Sequence, residues 1–360
     1  MDSRYCRFPR PRQWRSTARS SPMRKSFART GSTVRKGHRH QRLSSSRPAQ
    51  PPNAGQVQAM IASDPWDIFI EGETDAEAPD QLARAEDISD FCAQFSNRSN
   101  LPFGSCKSPG VLFGRGATLL TDNKEHFSNG GPTNWHEFWD TKDFPGAHAM
   151  PARSDTWRQL IVALVADDVA VKDLYPMDID RAFKKLDELK PNISLWWTTG
   201  DQTTHGFRNG EYDAGFIWMT RPTALKNQGQ RIACYYDGAL LVGDRYAVVK
   251  RARHKTEALE MLKFFLDSPE IKGKICAALA CTPPSADALQ YMTAEVRTNS
   301  PSAEQISSDM VVPDAEWINA NKAMLIDRTG SRNRHPPRRG PPAAPAADKR
   351  AGLGLTRTAV

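Results

Sequence analysis

With 360 residues the chain is long enough for two domains with real cores, so a single small module is excluded. Its formal net charge of +8 points toward a polyanionic partner, but the charge is unevenly placed. Fourteen Lys or Arg stand against Asp2 alone in residues 1–50 and eight against Asp348 in residues 328–360, which leaves residues 51–327 at −12 and would make that middle repel phosphates.

Both ends are built from Arg, Ser, Pro and Ala with almost no aliphatic clusters, a composition that cannot offset the entropy of ordering. Residues 1–54 and 329–360 are therefore expected to be disordered. Read functionally, the first fifty residues would be a nucleic-acid arm or a targeting peptide. A secretory signal needs an apolar stretch of about 7 to 15 residues after its basic start, and none is present here.

Within the acidic middle, "QVQAMIAS" (56–63) reads as the end of a helix and "WDIFIEGE" (66–73) as a short buried strand. "GVLFGRGATLLTD" (110–122) is a second β-rich run, expected to be broken by Gly114 and Gly116. "NWHEFWD" opens a helix in which Asn134 caps and Glu137 completes a capping box. "DTWRQLIVALVADD" (155–168) is helical, and so is "MDIDRAFKKLDELKP", where Ile179, Phe183, Leu186 and Leu189 share one face, Asp178 caps and Pro191 stops the helix. Then come the strand "ISLWW", the short helix "DQTTHGFRNG" and the strand "YDAGFIW", an alternation that predicts a mostly parallel α/β sheet. "GALLVGDRYAVVK" (238–250) is a strand pair or one long bent strand. The helix "KTEALEMLKFFLDSPE" turns Leu259, Leu262, Phe265 and Leu266 to one side, Pro269 opens "PEIKGKICAALA", and "DAEWINANKAMLIDR" closes the ordered part near Arg328.

Motifs for covalent chemistry fail on inspection. "HEFWD" has Asp140 where a zinc-protease helix needs its second His, "GRG" lacks the rest of a nucleotide loop, and no GxSxG occurs. His148 and His205 are expected to be ordinary surface or loop residues. Cys6, Cys92, Cys106, Cys234, Cys276 and Cys281 contain no CxxC pair, which argues against a metal cluster. Cys92 with Cys106, or Cys276 with Cys281, could form a disulfide in an oxidising compartment, but spacing alone does not establish the geometry and buried free thiols are the simpler expectation. No run of about 18 apolar residues is present to span a membrane.

Ligands in open α/β sheets collect beyond the carboxyl ends of strands. Trp197 and Trp218 end their strands, Glu71 and Glu73 follow "WDIFI", and Asp244 interrupts "GALLVGDRYAVV". Indoles there can stack on a ligand or hold a cation, and carboxylates can pair with an ammonium group. The alternative for each Trp is core packing.

Taken in order, "QVQAMIASDPWDIFI", "GGPTNWHEFWDTKDFPGAHAMP", "LYPMDIDRAFKKLDELKP", "WWTTGDQTTHGFRNGEYDAGFIW", "GALLVGDRYAVVKRARHKTEALEMLKFFLDSPE" and "WINANKAML" resemble the solute-binding proteins of ABC transporters, of the spermidine/putrescine-binding type, over roughly residues 55–328. The resemblance implies a two-lobed α/β periplasmic binding protein of type II with two hinge crossovers, near 110–135 and 238–252. Lobe one would comprise 55–130, lobe two 131–248, and 249–328 would return to lobe one. It implies a monomer that is no enzyme, uses no cofactor or metal, works in the periplasm and delivers a small solute, a polyamine first of all, to a permease driven by an ATPase subunit. Carried over by motif, Gly200 and Gln202 line the cleft in lobe two, Trp218 is the aromatic wall, Asp244 is the acid on the second crossover, and Glu71, Gly72 and Glu73 form the lobe-one cleft loop; Trp197 stands beside them. Arg221 departs from the pattern: turned inward it would repel a polyamine and suit an anionic or zwitterionic solute. Upstream, segment 1–54 stands where the family has a signal peptide and first strand, so the reading frame or start is expected to be displaced there and again after about Arg328, leaving lobe one without that strand. Non-specific nucleic-acid binding through the arginine-rich ends is the competing class, and its salt dependence would be steep.

Overall fold

A computed structural model describes residues 67–101, 104–152, 156–302 and 309–332. The basic ends and the helix expected over 56–63 lie outside the described residues.

Among the described residues seven strands form one sheet: β1 (Ile68–Gly72), β2 (Cys106–Lys107), β3 (Gly110–Asn123), β4 (His148–Pro151), β5 (Ile193–Trp197), β6 (Ala214–Trp218) and β7 (Ile232–Val248). Their order is β1-β7-β3-β6-β4-β5, with β2 on the edge of β3. The helices are α1 (Pro79–Leu82), α2 (Ser89–Ala93), α3 (Trp135–Trp139), α4 (Thr156–Ala166), α5 (Ile179–Leu189), α6 (Gly200–Arg208), α7 (Thr220–Asn227), α8 (Lys255–Asp267), α9 (Pro269–Leu279), α10 (Ala294–Thr298) and α11 (Ala315–Arg332).

The sheet is mixed rather than mostly parallel. β4 runs parallel to β5 and β6, whereas β1, β3, β6 and β7 pair antiparallel. Length is the reason. β3 and β7 each run through both halves of the molecule, and a strand that returns through the sheet must oppose its neighbour. β1 pairs only with the last residues of β7, from Gly72 against Asp244 to Ile68 against Val248. Along β3, β6 reaches the later half alone, from Trp218 against Thr118 to Ala214 against Asp122. Between those levels β3 and β7 hold each other over 114–117 and 241–244. This two-stranded waist joins two lobes, and β3 and β7 are its crossovers.

Gly114 and Gly116 do not break β3. At Gly114 the need for glycine is steric: a Cβ would lie 3.0 Å from the Thr282 carbonyl oxygen and 3.1 Å from the sulfurs of both Cys276 and Cys281. Those two cysteines are disulfide-bonded, as are Cys92 and Cys106, so the expectation of free thiols fails for both pairs. Cys234 is a buried thiol. β7 begins at Ile232, well before the expected Gly238, because Ile232–Tyr236 is buried on both faces and shows no alternation.

On one side of the waist Phe91, Phe95, Val111, Val248, Leu262, Phe265 and Leu266 form a core under α2 and α8. On the other, Phe138, Leu160, Phe183, Leu186 and Phe216 pack α3, α4 and α5 onto the sheet. α5 follows its sequence pattern: Phe183, Leu186 and Leu189 are buried, and the Asp178 carboxylate accepts from the Arg181 amide at 3.0 Å. In α3 Asn134 caps the Glu137 amide at 3.0 Å, but Glu137 reaches one residue too far for a capping box and accepts from the Thr133 amide and hydroxyl at 2.7 and 2.8 Å. His148 is no surface residue. It is fully buried in β4 with its ring 4.6 Å from that of Phe138, and burial pushes its pKa down to about 4 against the opposing backbone hydrogen bonds. His205 is exposed on α6.

α11 does not simply return to the first lobe. Ile318 and Leu325 enter the core with α4 and α5, while the Asn319 amide donates to the Thr74 carbonyl at 2.9 Å and Lys322 pairs with Asp75 at 2.7 Å in the loop after β1.

Candidate functional site

The register sets strand ends against each other. β1 and β3 both run antiparallel to β7, so β1 ends at the level of Gly114; β6 runs against β3 and ends at the level of Thr118. Four residues of β3 at about 3.3 Å each separate these carboxyl ends, a gap of roughly 13 Å that suits a small solute. β4 and β5 end on the same side as β6, at Pro151 and Trp197.

Asp244 stands on the waist beside this gap. Its side chain is open to solvent although protein crowds it on most sides, as at the floor of a cleft. Burial pushes its pKa up, the charge of Arg158 pulls it down, and Glu73 pushes it up again. Arg158 lies in the first turn of α4 and is buried. Its Nη1 donates to the Thr118 hydroxyl at 2.9 Å and its guanidinium sits 4.3 Å from the centroid of the Trp157 ring, so its direction is fixed by the crossover strand itself. Sequence reading missed Arg158 inside an otherwise apolar helical run. The available signal was its place in the first turn, where the helix dipole disfavours a cation.

Glu73 does not offer an open carboxylate. Its oxygens accept from Arg115 Nε and Nη2, each at 2.8 Å, and from Arg245 Nη2 at 3.0 Å. Against burial, which raises it, these two guanidinium groups hold its pKa below the usual carboxylate value. Glu71, expected in the same cleft loop, is buried inside β1 with neither carboxylate oxygen hydrogen-bonded. Burial lifts its pKa to about 7; Arg84 and Arg245 oppose the rise, and Asp75 and Asp80 add to it.

At the other lip, Trp197 is a core residue: it is fully buried and donates from Nε1 to the Phe216 carbonyl at 2.9 Å. Trp218 is only partly buried and meets Trp197 edge-on at 4.9 Å, so the inner indole props the outer one. Gln202 caps instead of lining. Its Oε1 accepts from the Thr198 and Thr199 amides at 2.5 and 3.1 Å, while the Thr199 hydroxyl accepts from the Gln202 amide, a closed capping box. Gly200 opens α6 directly beneath Arg221, whose Nε would lie 2.0 Å from a Cβ at that position. Arg221 pairs with Asp201 at 2.9 Å, and its Nε is buried without a hydrogen-bond partner. Arg221 thus turns toward the start of α6.

Two lobes on a two-stranded waist, with charged side chains where their strand ends meet, define a hinged periplasmic binding fold. A family model described as "Bacterial extracellular solute-binding protein" matches residues 49–303, and the chain belongs to that family. Among solved structures, PBP AttC of Agrobacterium tumefaciens C58, in an open unliganded conformation, is 43% identical with a TM-score of 0.60, covering 77% of this chain and 86% of that one. PBP AgtB of A. tumefaciens R10, in complex with agropinic acid, is 25% identical with a TM-score of 0.69, covering 78% and 86%. A gamma-aminobutyric acid-binding protein of Pseudomonas aeruginosa is 35% identical over 138 residues; the match spans 37% of this chain and 38% of that relative.

Proposed function

We propose that the chain is the periplasmic solute receptor of an ABC importer, that it captures a small zwitterion of the amino-acid class between its lobes, and that gamma-aminobutyric acid is the first compound to test. The observation that carries this reading is the placement of Arg158 and Asp244 within electrostatic reach of each other at the waist. For Asp244 the charge of Arg158 is the main counter-charge. A zwitterion inserted between them replaces one long-range attraction with two hydrogen-bonded pairs, its carboxylate on Arg158 and its ammonium on Asp244. Trp218 closes the side of the gap, and Arg221 with the start of α6 adds positive potential at the lobe-two lip.

Charge balance disfavours a polyamine. Glu73 is already neutralised by two arginines and Glu71 lies inside β1, so of the three carboxylates expected in the cleft a polycation would find Asp244, with the charge of Arg158 beside it. The domain reading follows from the waist: lobe one before Arg115 and after Gly243, lobe two between Thr118 and Leu240, with α11 touching both. Closure about the waist buries the solute and presents both lobes to a permease and its ATPase, and no covalent step is required.

Isothermal titration of the full chain with gamma-aminobutyric acid, putrescine, spermidine and succinate tests the reading. Binding of the amino acid, with none of the diamine or dicarboxylate, is the expected result. Preferential binding of putrescine or spermidine would overturn it and restore the polyamine assignment.

A further inference from the structure

Glu73 is placed to do something other than bind solute. It follows β1 directly, yet its carboxylate reaches both crossover strands: Arg115 on β3 through two 2.8 Å hydrogen bonds and Arg245 on β7 at 3.0 Å. Its backbone amide adds a third tie, donating to the Gly243 carbonyl at 2.7 Å. Gly243 must be glycine for this approach, since a Cβ would lie 2.4 Å from Glu73 Oε2. Arg245 is in turn fixed by the Gly104 and Gly110 carbonyls at 2.9 and 3.2 Å. A further segment joins at the same level, because the Arg115 amide donates to the Thr282 carbonyl at 2.9 Å and the Thr282 amide donates to the Arg115 carbonyl at 2.7 Å. The Cys276–Cys281 disulfide packs against Gly114 one residue away. Side chains alternate along β7, so Glu73, which meets the Gly243 side of the strand, acts from the face opposite Asp244.

One level further along, the ties go to the other lobe: the Ala117 carbonyl accepts from the Met219 amide at 2.9 Å and the Leu241 amide donates to the Val311 carbonyl at 2.8 Å. Between the two levels stand Gly116, where a Cβ would meet only the flexible Met219 side chain at 3.4 and 3.7 Å, and its partner Val242.

We infer that Glu73 is the anchor of the hinge: it fastens both crossover strands to lobe one at Arg115 and Arg245, and so confines bending to the single level of Gly116 and Val242, beyond which Ala117 and Leu241 are held by lobe two. It is a positioning residue. By holding the strands rigid up to Asp244 it keeps that carboxylate in place while lobe two swings Arg158 toward it.

Amide hydrogen exchange of the full-length, oxidised, solute-free protein tests the inference without reference to the ligand. In the wild type, Gly116 and Val242 should exchange faster than 114–115 and 243–245. Glu73→Gln keeps the shape and removes the charge; it should raise exchange at 114–115 and 243–245 by about tenfold, the effect of losing one charge-assisted, half-buried cluster, and leave β4–β6 unchanged. Arg115→Gln, which removes one of the two arginines, should shift the same residues less and serves if the first variant does not fold. Equal exchange along the whole wild-type waist, or an increase spread evenly over both lobes as simple loss of stability would give, overturns the assignment.

Discussion

Replacing Arg158 by methionine is the sharpest test of the zwitterion reading, because it carries two independent consequences. Methionine keeps most of the side-chain length against Trp157 and removes the charge together with the hydrogen bond to Thr118. Truncating one member of a buried, hydrogen-bonded charge pair costs roughly 2 to 5 kcal/mol, so a central value of about 3 kcal/mol weakens gamma-aminobutyric acid some 150-fold, at about 1.4 kcal/mol per decade. The second consequence is electrostatic. Arg158 is the group that pulls the Asp244 pKa down against burial, so its loss should move that pKa further up. Titration calorimetry reads the first effect, and carboxyl carbon chemical shifts of Asp244 followed against pH read the second. An affinity within threefold of the wild type, or an Asp244 titration that does not move, would refute the proposed division of the two poles.

The remaining expectations concern single contacts. The raised pKa of Glu71, about 7 against 4.5, means the folded protein takes up that proton first; stability is therefore lost as pH rises from about 4.5 to 7, and Glu71→Gln should stabilise the chain by about 3 kcal/mol at about pH 8 and by little at about pH 4, read as urea midpoints. His148 acts the other way: kept neutral to about pH 4, it should cost stability as pH falls below 6.5, so a His148→Asn variant should lose part of the wild type's acid sensitivity in the same melts. Gly200→Ala would put a methyl group into the Arg221 guanidinium, and the forced move should weaken solute binding by about tenfold, with little change in melting temperature if that side chain can swing to solvent. By loop-closure entropy, serine replacement of Cys92 and Cys106 should cost about 3 kcal/mol and of Cys276 and Cys281 about 2 kcal/mol, so denaturant midpoints in the reverse order would argue that the second bridge acts through the hinge strand.

Much of the architecture was written in local pattern. The amphipathic stripe of α5, its Asp178 cap and the alternating strand and helix segments of lobe two are decided by neighbours in sequence, and they appear where periodicity puts them. The antiparallel waist was not legible from periodicity, because pairing Gly114 with Asp244 leaves no trace in either segment alone. The same divide runs through the site. Trp218 ends β6 and Asp244 stands at the waist inside β7, but whether such a side chain faces the cleft or the core depends on which partner reaches it first. Phe216 claims Trp197, the capping box claims Gln202, and two arginines claim Glu73. Arg158 was hidden because a buried arginine in an apolar helix looks like an exception until Thr118 and Asp244 are brought beside it.

The pairing of β3 with β7 also bears on how the chain reaches this state. Each strand must wait for the other across the whole of lobe two, and loop-closure entropy opposes their meeting until that lobe has taken shape. Lobe two can collapse around α4 and α5 from contacts close in sequence, whereas lobe one has no complete sheet until β7 arrives. Folding should therefore be slow and polarised, with lobe two taking shape first and β1 docking last, since its pairing partner Asp244–Val248 is the far end of β7.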